Sequence, residues 1–335
     1  QPVEVDFNDP SGGGSVEQAL YSIAPGDQLL RQIDPFTGST ISVVSIVLPG
    51  HTIKGGMGLA THPVTSQLYA LLKLDGQVGR ELVVIDVETG DADSIGDTGH
   101  EFVDLAFDED GTLFAVTGDA ASNPETLYQV DPSNAGATSV LSLGNGNAGE
   151  TIAFNSDDGL IYHASGSGVP NSNEIFETIE SETWQVVNVE LSGFNYNKAM
   201  SLVYSEERAA FLSVDFDQNL SSIMPDGQVN SIGSVDHRSK GLAFVPDWPI
   251  LRYDTWQADD GTFTVENDGA SLHLAGNKWV AINLPYEITA NTVLAFDFSS
   301  SMQGDVHSIG FDDDLFNTPG YRFNLYGTQQ SDQGH

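Results

Sequence analysis

Eight charged or titratable side chains stand at matched places ahead of a recurring apolar segment. Five positions before the leading Leu or Ile of that segment come Lys54, His100, Asn147, Asn197 and His237. The next position holds Gly55, Glu101, Ala148, Lys198 and Arg238. Glu150 and Lys240 directly precede the segments that begin at Thr151 and Gly241. Lys54, Lys198 and Lys240 are three of the five lysines in the chain. Such a set can hold an acidic sugar or a carboxylate through charge-assisted hydrogen bonds. It can also supply an acid and a base, with His100 or His237 as base, Glu101 or Glu150 as acid, and Lys198 or Arg238 neutralising a uronate. The plainer alternative is that these groups satisfy loop backbone and pair with Glu101, Glu150 and Asp104.

Metal chemistry has its best candidate in Asp312, Asp313 and Asp314. Three adjacent carboxylates repel unless a cation offsets them, and hard oxygen ligands suit Ca²⁺. A structural Ca²⁺ is the expected cofactor, and no organic cofactor is expected. Asp215, Asp217 and Asn219 have the alternating oxygens that open a calcium loop, but they lack the glycine and distal glutamate of an EF-hand. The turns Asp108-Glu109-Asp110-Gly111 and Ser156-Asp157-Asp158-Gly159 read as turn chemistry, because glycine takes the left-handed conformation there. His62, before Pro63, and His163, in a strand, read as packing residues. Trp256, Trp279, Tyr321 and Tyr326 can stack on sugar rings, although Trp279 lies in an apolar strand that favours the core. The chain has no cysteine, which excludes disulfides and thiol chemistry. It carries no nucleophile-elbow, HExxH, Walker or dinucleotide-binding motif in a fitting context.

What positions these residues is a repeat. The segments GLATHP, DLAFDE, TIAFN, SLVYS and GLAFVP succeed one another with spacings of 46, 47, 50 and 40 residues. Each of the first four is followed by a turn and a second apolar strand: LYAL, LFAV, LIYH and AFLS. A third strand has the pattern of Leu82–Gly90, LVVIDVETG, and a fourth follows its turn. Four strands in roughly 45 residues predict a β-propeller blade. The stretch from Gln18 supplies strands two, three and four without a first. The segment from Gly241 is a first strand with nothing after it. Joining them closes a ring of five blades over residues 18–246 and removes open sheet edges. Residues 1–17, with Pro10 and Gly12 to Gly14, read as a flexible lead-in.

From residue 247 the pattern changes. Thr262–Glu266, Ser271–Leu274, Trp279–Ile282, Val293–Phe298, Ser308–Phe311 and Tyr321–Leu325 read as six half-buried strands. They predict an antiparallel β-sandwich over 247–335. Six strands are few for two sheets, so further chain is expected after His335. The fold class is therefore all-β throughout.

Composition bounds the partners. Eleven Lys plus Arg against 48 Asp plus Glu leave a formal charge of −37. Such a surface repels nucleic acid and anionic membranes. No apolar run approaches the roughly 18 residues of a membrane-spanning helix. The N-terminus carries no basic, apolar secretion signal, so any such signal was never present or has been removed. The acidic, cysteine-free composition, rich in Gly, Ser, Asn, Asp and Thr, resembles that of secreted marine bacterial proteins.

Two resemblances extend this reading. Leu82, Ile85, Asp86, Thr89 and Gly90, with Leu29, Ile33, Asp34, Thr37 and Gly38, resemble the third strands of NHL-like and YVTN-like propeller repeats. That resemblance implies architecture and leaves function open. GNKWVAINLPYEIT, NTVLAFDFSS and His307–Asp314 look like the carbohydrate-binding-module-like sandwiches appended to secreted bacterial polysaccharide-degrading enzymes and adhesins. This second resemblance implies a polysaccharide or glycoconjugate partner. The expected protein is extracellular, lectin-like or adhesin-like, and binds glycan or matrix at the propeller mouth and the sandwich. A polysaccharide lyase or glycoside hydrolase acting at the mouth, or a self-assembling surface or filament subunit, are the competing expectations.

Overall fold

The structure is a computed structural model that describes residues 18–63, 65–144, 148–166, 174–194, 197–246, 250–252, 261–266, 271–282, 296–311 and 322–328. The chain divides into two compact units, Gln18–Pro246 and the remainder.

The first unit is a five-bladed β-propeller. Blade one holds β1 (Gln18–Ile23), β2 (Leu29–Ile33) and β3 (Thr40–Ser45). Blade two follows with β4 (Ile53–Thr61), β5 (Leu68–Leu74), β6 (Glu81–Ile85) and β7 (Ala92–Asp97). Blade three has β8 (Phe102–Phe107), β9 (Leu113–Thr117), β10 (Thr126–Val130) and β11 (Ala137–Ser142). In blade four come β12 (Ala148–Asn155), β13 (Leu160–Gly166), β14 (Ile175–Glu180) and β15 (Gln185–Asn188). Blade five has β16 (Ser192–Gly193), β17 (Ala199–Ser205), β18 (Ala210–Asp215), β19 (Asn219–Ile223) and β20 (Gln228–Ser234), with β16 parallel to the outer edge of β20. The last strand, β21 (Gly241–Pro246), pairs antiparallel with β1 in the register Leu20↔Phe244 and completes blade one. The ring is thus closed between the two ends of the unit.

Burial explains the strand composition. Hydrophobic clusters fill all five gaps between neighbouring blades. In β5, Leu68, Ala70 and Leu72 face blade one, while Tyr69 and Leu71 face blade three. A middle strand covered on both faces needs apolar residues at nearly every position, as LYALL and LFAV show. The fourth strands meet solvent and are mostly exposed, as in β3 and β15.

The third-strand turns dock each blade on its neighbour. Asp86 Oδ1 accepts the backbone N–H groups of Glu88 and Thr89. Gly90 then adopts φ 79°, and a Cβ there would lie 2.2 Å from Ser45 O of blade one. The close approach requires glycine, and the positive φ favours it. The equivalent left-handed positions elsewhere are Gly38, Ala135, Trp184 and Gly227. Blade four therefore makes this turn with Glu180 and Trp184, without the Asp-and-Gly signature.

At the centre, β4, β8, β12, β17 and β21 contact one another in succession, and β21 returns to β4. Gly58 and Gly241 permit this approach. A Cβ on Gly58 would meet Asp104 Cα at 2.8 Å, and one on Gly241 would meet Leu59 N at 2.6 Å.

In the second unit the described strands form three antiparallel pairs. They are β22 (Ile250–Arg252) with β25 (Val280–Ile282), β23 (Thr262–Glu266) with β24 (Ser271–Ala275), and β26 (His307–Gly310) with β27 (Arg322–Tyr326). These are separate two-stranded sheets. Phe296 and Phe298, expected in a strand, lie outside one and are 46% and 45% exposed. Alternation alone gives no ladder without a partner strand.

Candidate functional site

Of the polar residues picked out at the first strands, all but Asn147 lie among the described residues, at the starts of β4, β8, β12, β17 and β21 or just before them. They separate into two layers.

The lower layer is closed. Glu150 is 1% exposed and Lys240 is 5% exposed. Glu150 Oε2 lies 2.6 Å from His163 Nε2, and Glu150 Oε1 accepts a hydrogen bond from Ser165 Oγ at 2.7 Å. The other ring nitrogen, His163 Nδ1, lies 2.9 Å from Glu177 Oε1. Burial of His163 works against its charged form. The hydrogen bonds to Glu150 and then Glu177, with their charges, outweigh burial and raise its pKa to about 9. A buried imidazolium thus sits between two carboxylates. The ring has donors on both sides, as this arrangement needs.

Lys240 Nζ donates to Glu150 O at 2.8 Å. Lys240 precedes a strand of blade one and Glu150 belongs to blade four, so the lysine reaches across the channel. Burial lowers its pKa, against the charges of Asp104 and Glu150. Asp104 accepts hydrogen bonds from Thr151 Oγ1 and from the N–H groups of Leu105 and Ile152. Full burial nevertheless pushes its carboxyl up to about 7.

His237 belongs to this layer as well. Its Nε2 lies 2.7 Å from Ser22 Oγ and its Nδ1 lies 3.0 Å from Asp236 Oδ1. The order Ser–His–Asp is that of an acyl-transfer triad, but the surroundings are not. Ser22 is fully buried and sits mid-strand with neighbours paired on both sides. Its hydroxyl is also shared with Ser239 at 2.9 Å, and Ser239 reaches Ser201 of blade five at 3.0 Å. The arrangement ties blade one to blade five, and no substrate carbonyl can approach it.

The upper layer is the rim. Lys54 is exposed and pairs with Asp75 at 3.3 Å. His100 is half-buried against Phe102 and Tyr128, with ring centres 5.2 and 4.6 Å away. Glu101, also half-buried, acts electrostatically on Arg80. Lys198 and Arg238 converge on an aromatic ring that the sequence patterns did not single out. Phe216, in the β18–β19 turn, is 40% exposed. Lys198 Nζ lies 5.7 Å from its ring centre and Arg238 Cζ lies 5.0 Å away. Among the described residues neither cation has a carboxylate within salt-bridge distance.

The turn that presents Phe216 is well tied. Asp215 Oδ1 accepts from Asn219 N at 2.9 Å, and Asp217 Oδ2 accepts from Asn197 Nδ2 at 2.8 Å. The oxygens weighed as the start of a calcium loop therefore hold the loop itself. Phe216 N donates to Asn197 O and Lys198 O at 2.9 and 3.0 Å. Lys198 adopts φ 59°, a left-handed conformation that costs a non-glycine residue about 1 kcal/mol or more. A sequence signal for Phe216 did exist: an aromatic residue between two acidic ones directly after the buried strand AFLSVD.

The remaining candidates divide between packing residues and residues outside those described. His62 packs at a tilt against Phe107 with ring centres 4.9 Å apart. Asp108 Oδ1 accepts from the N–H groups of Asp110 and Thr112, and Gly111 and Gly159 adopt φ 81° and 73°, as the turn reading required. Asp312, Asp313, Asp314, Asn147, Trp256 and Tyr321 lie outside the described residues. Among the described residues no group of three or more acidic or histidine side chains is placed to hold a metal ion. Tyr326 is 46% exposed and stacks with His307 at 5.8 Å.

No family model matches the chain, and no curated protein matches it. Among solved structures, the chain is similar to one titled a nidogen/laminin complex, at 12% identity and a TM-score of 0.47, covering 77% of this chain and 89% of that one. TolB from Acinetobacter baumannii matches at 12% identity and 0.45, covering 79% and 65%. A structural-genomics protein of unknown function from Bacteroides thetaiotaomicron matches at 16% identity and 0.38, covering 75% and 60%. Likeness at this level carries no argument about function. The architecture described above stands on the strand pairing.

Proposed function

We propose that the protein is an extracellular binding protein whose propeller rim holds an acidic polysaccharide or glycoconjugate. One observation carries this reading: Lys198 and Arg238 lie over the partly exposed ring of Phe216 without a carboxylate partner among the described residues. An exposed aromatic face packs against the C–H face of a sugar. Cations beside it offer charge-assisted hydrogen bonds to a uronate or sulfate. Lys198 holds a left-handed backbone that glycine would hold without strain, and observed strain of this kind supports a functional role. The secreted setting rests on the resemblance of the acidic composition to that of secreted marine bacterial proteins.

Affinity electrophoresis through gels containing polygalacturonate or neutral dextran tests the reading. Retardation by polygalacturonate alone, abolished in a Lys198→Ala, Arg238→Ala double variant, is expected. The overall charge of −37 opposes a polyanion at long range, while the rim cations act at contact. Retardation should therefore strengthen as salt rises from about 0.01 M to about 0.15 M, where the screening length falls to about 8 Å. Equal mobility of wild type and double variant in polygalacturonate would sink the proposal.

A further inference from the structure

At the opposite ends of the propeller strands, blades one and five leave a cleft of about 490 Å³. Pro35 and Phe36 come from the turn after β2, and Arg208 comes from the turn between β17 and β18. Ala210, Ser222, Met224, Ser231 and Ile232 line the rest. Phe36 is 68% exposed and lies over the Arg208 guanidinium, with 4.4 Å from Cζ to the ring centre.

The guanidinium is poorly satisfied. Its Nη1 makes one long contact, 3.5 Å, with Ser205 Oγ. Its Nη2 is buried and has no hydrogen-bond partner. Among the described residues no carboxylate lies within salt-bridge distance of it, in a chain with 48 acidic residues. Glu206, in the same turn, accepts a hydrogen bond from Ser156 Oγ of blade four instead. A buried donor on a charged group without an acceptor is costly. An incoming carboxylate removes that cost, and the planar fork of arginine matches a carboxylate with two parallel bonds. The lining beside it is largely apolar, which selects the body attached to that carboxylate.

We propose that this cleft is a second binding site, for an organic carboxylate with an apolar flank: a free aromatic acid or the C-terminal carboxylate of a peptide ending in an apolar residue. The carboxylate pairs with Arg208 under Phe36, and the flank packs on Met224 and Ile232. This site is independent of the rim and rests on different residues.

The test is ligand-observed NMR titration of benzoate and benzamide on the full chain. It uses a Lys198→Ala, Arg238→Ala background, which removes the rim cations. Benzoate should bind with a dissociation constant on the order of 1 mM, and benzamide should not compete. Arg208→Gln should weaken benzoate at least about tenfold, with Arg208→Lys between, because an ammonium lacks the planar fork. Acetyl-Gly-Phe as acid and as amide separates the two sources. An acid peptide much tighter than benzoate marks a peptide terminus, and benzoate equal or tighter marks a free acid. Equal binding of benzoate and benzamide, unchanged affinity in Arg208→Gln, or no binding overturns the proposal. Absent binding together with a lowered melting temperature in Arg208→Gln identifies the Phe36–Arg208 contact as a clasp between blades.

Discussion

The rim and the layer beneath it are built from the same residue types, a few positions apart in sequence, and they use them in opposite ways. Lys198 and Arg238 face an exposed ring and have no carboxylate partner among the described residues, whereas Lys240, His163 and Glu150 are buried and donate or accept within the protein. The difference teaches that charge at a propeller mouth is not itself a site. A buried charge left without a partner is costly. At the mouth, the charges open to solvent are the ones left for a ligand. The lower layer belongs to stability, and the rim is where binding should be sought.

The largest expected break in that comparison is His163→Gln. It leaves Glu150 and Glu177 facing each other without the cation between them. Removing one partner of a buried ionic group costs about 3–5 kcal/mol. At roughly 2–4 °C per kcal/mol for a domain of this size, the melting temperature should fall by on the order of 10 °C. A drop of a degree or less would return Glu150 to the list of ligand contacts.

Proton linkage sharpens the point. The pKa of His163 is raised from the ordinary 6.5 to about 9, so its contribution is full below the unfolded pKa and is lost as pH rises through about 9. The gap in melting temperature between wild type and His163→Gln should therefore narrow from about pH 6 to about pH 10. Asp104 works in the same direction over a lower window. Its carboxyl is raised from 3.8 to about 7, so stability held by the protonated form is lost as pH climbs through about 7. A gap that widens in alkali would contradict the imidazolium assignment.

At the rim the pattern should reverse. Phe216→Ala should weaken acidic-polysaccharide binding by about tenfold, a loss ordinary for an exposed aromatic anchor. Its melting temperature should stay within about 0.5 kcal/mol equivalent of wild type. Calorimetric titration beside thermal denaturation reads both quantities. Lys198→Gly separates them further. Relief of the left-handed backbone should stabilise the protein by about 0.5–1 kcal/mol, while binding weakens several-fold. Loss of stability in this variant would count against the strain argument. The smallest effect belongs to Lys54→Ala, because an exposed pair such as Lys54–Asp75 contributes about 0–1 kcal/mol.

Much of the propeller was legible because its constraints are local and repeated. The segments headed by Leu59, Leu105, Ile152, Leu202 and Leu242 became β4, β8, β12, β17 and β21, and the orphan strand from Gly241 paired with β1. Blade four was the weak point, since Glu180 and Trp184 make by side-chain hydrogen bonds and a left-handed tryptophan the turn that Asp and Gly make elsewhere. At the mouth, residue positions were legible and availability was not. His163 read as a packed strand histidine, yet its charge state depends on Glu150 and Glu177, which no spacing rule brings to it. Phe216 escaped notice because one exposed aromatic in a turn has no periodic signature.

The sequence by itself determined the period, the two-faced apolar middle strands and the ring closure. Each of these follows from backbone geometry acting within one blade. The tertiary structure alone decided which charges were buried and which were left to solvent. That choice depends on side chains from different blades meeting at the channel, as Lys240 of blade one meets Glu150 of blade four. Desolvation is a property of the closed ring, and no stretch of the chain carries it alone.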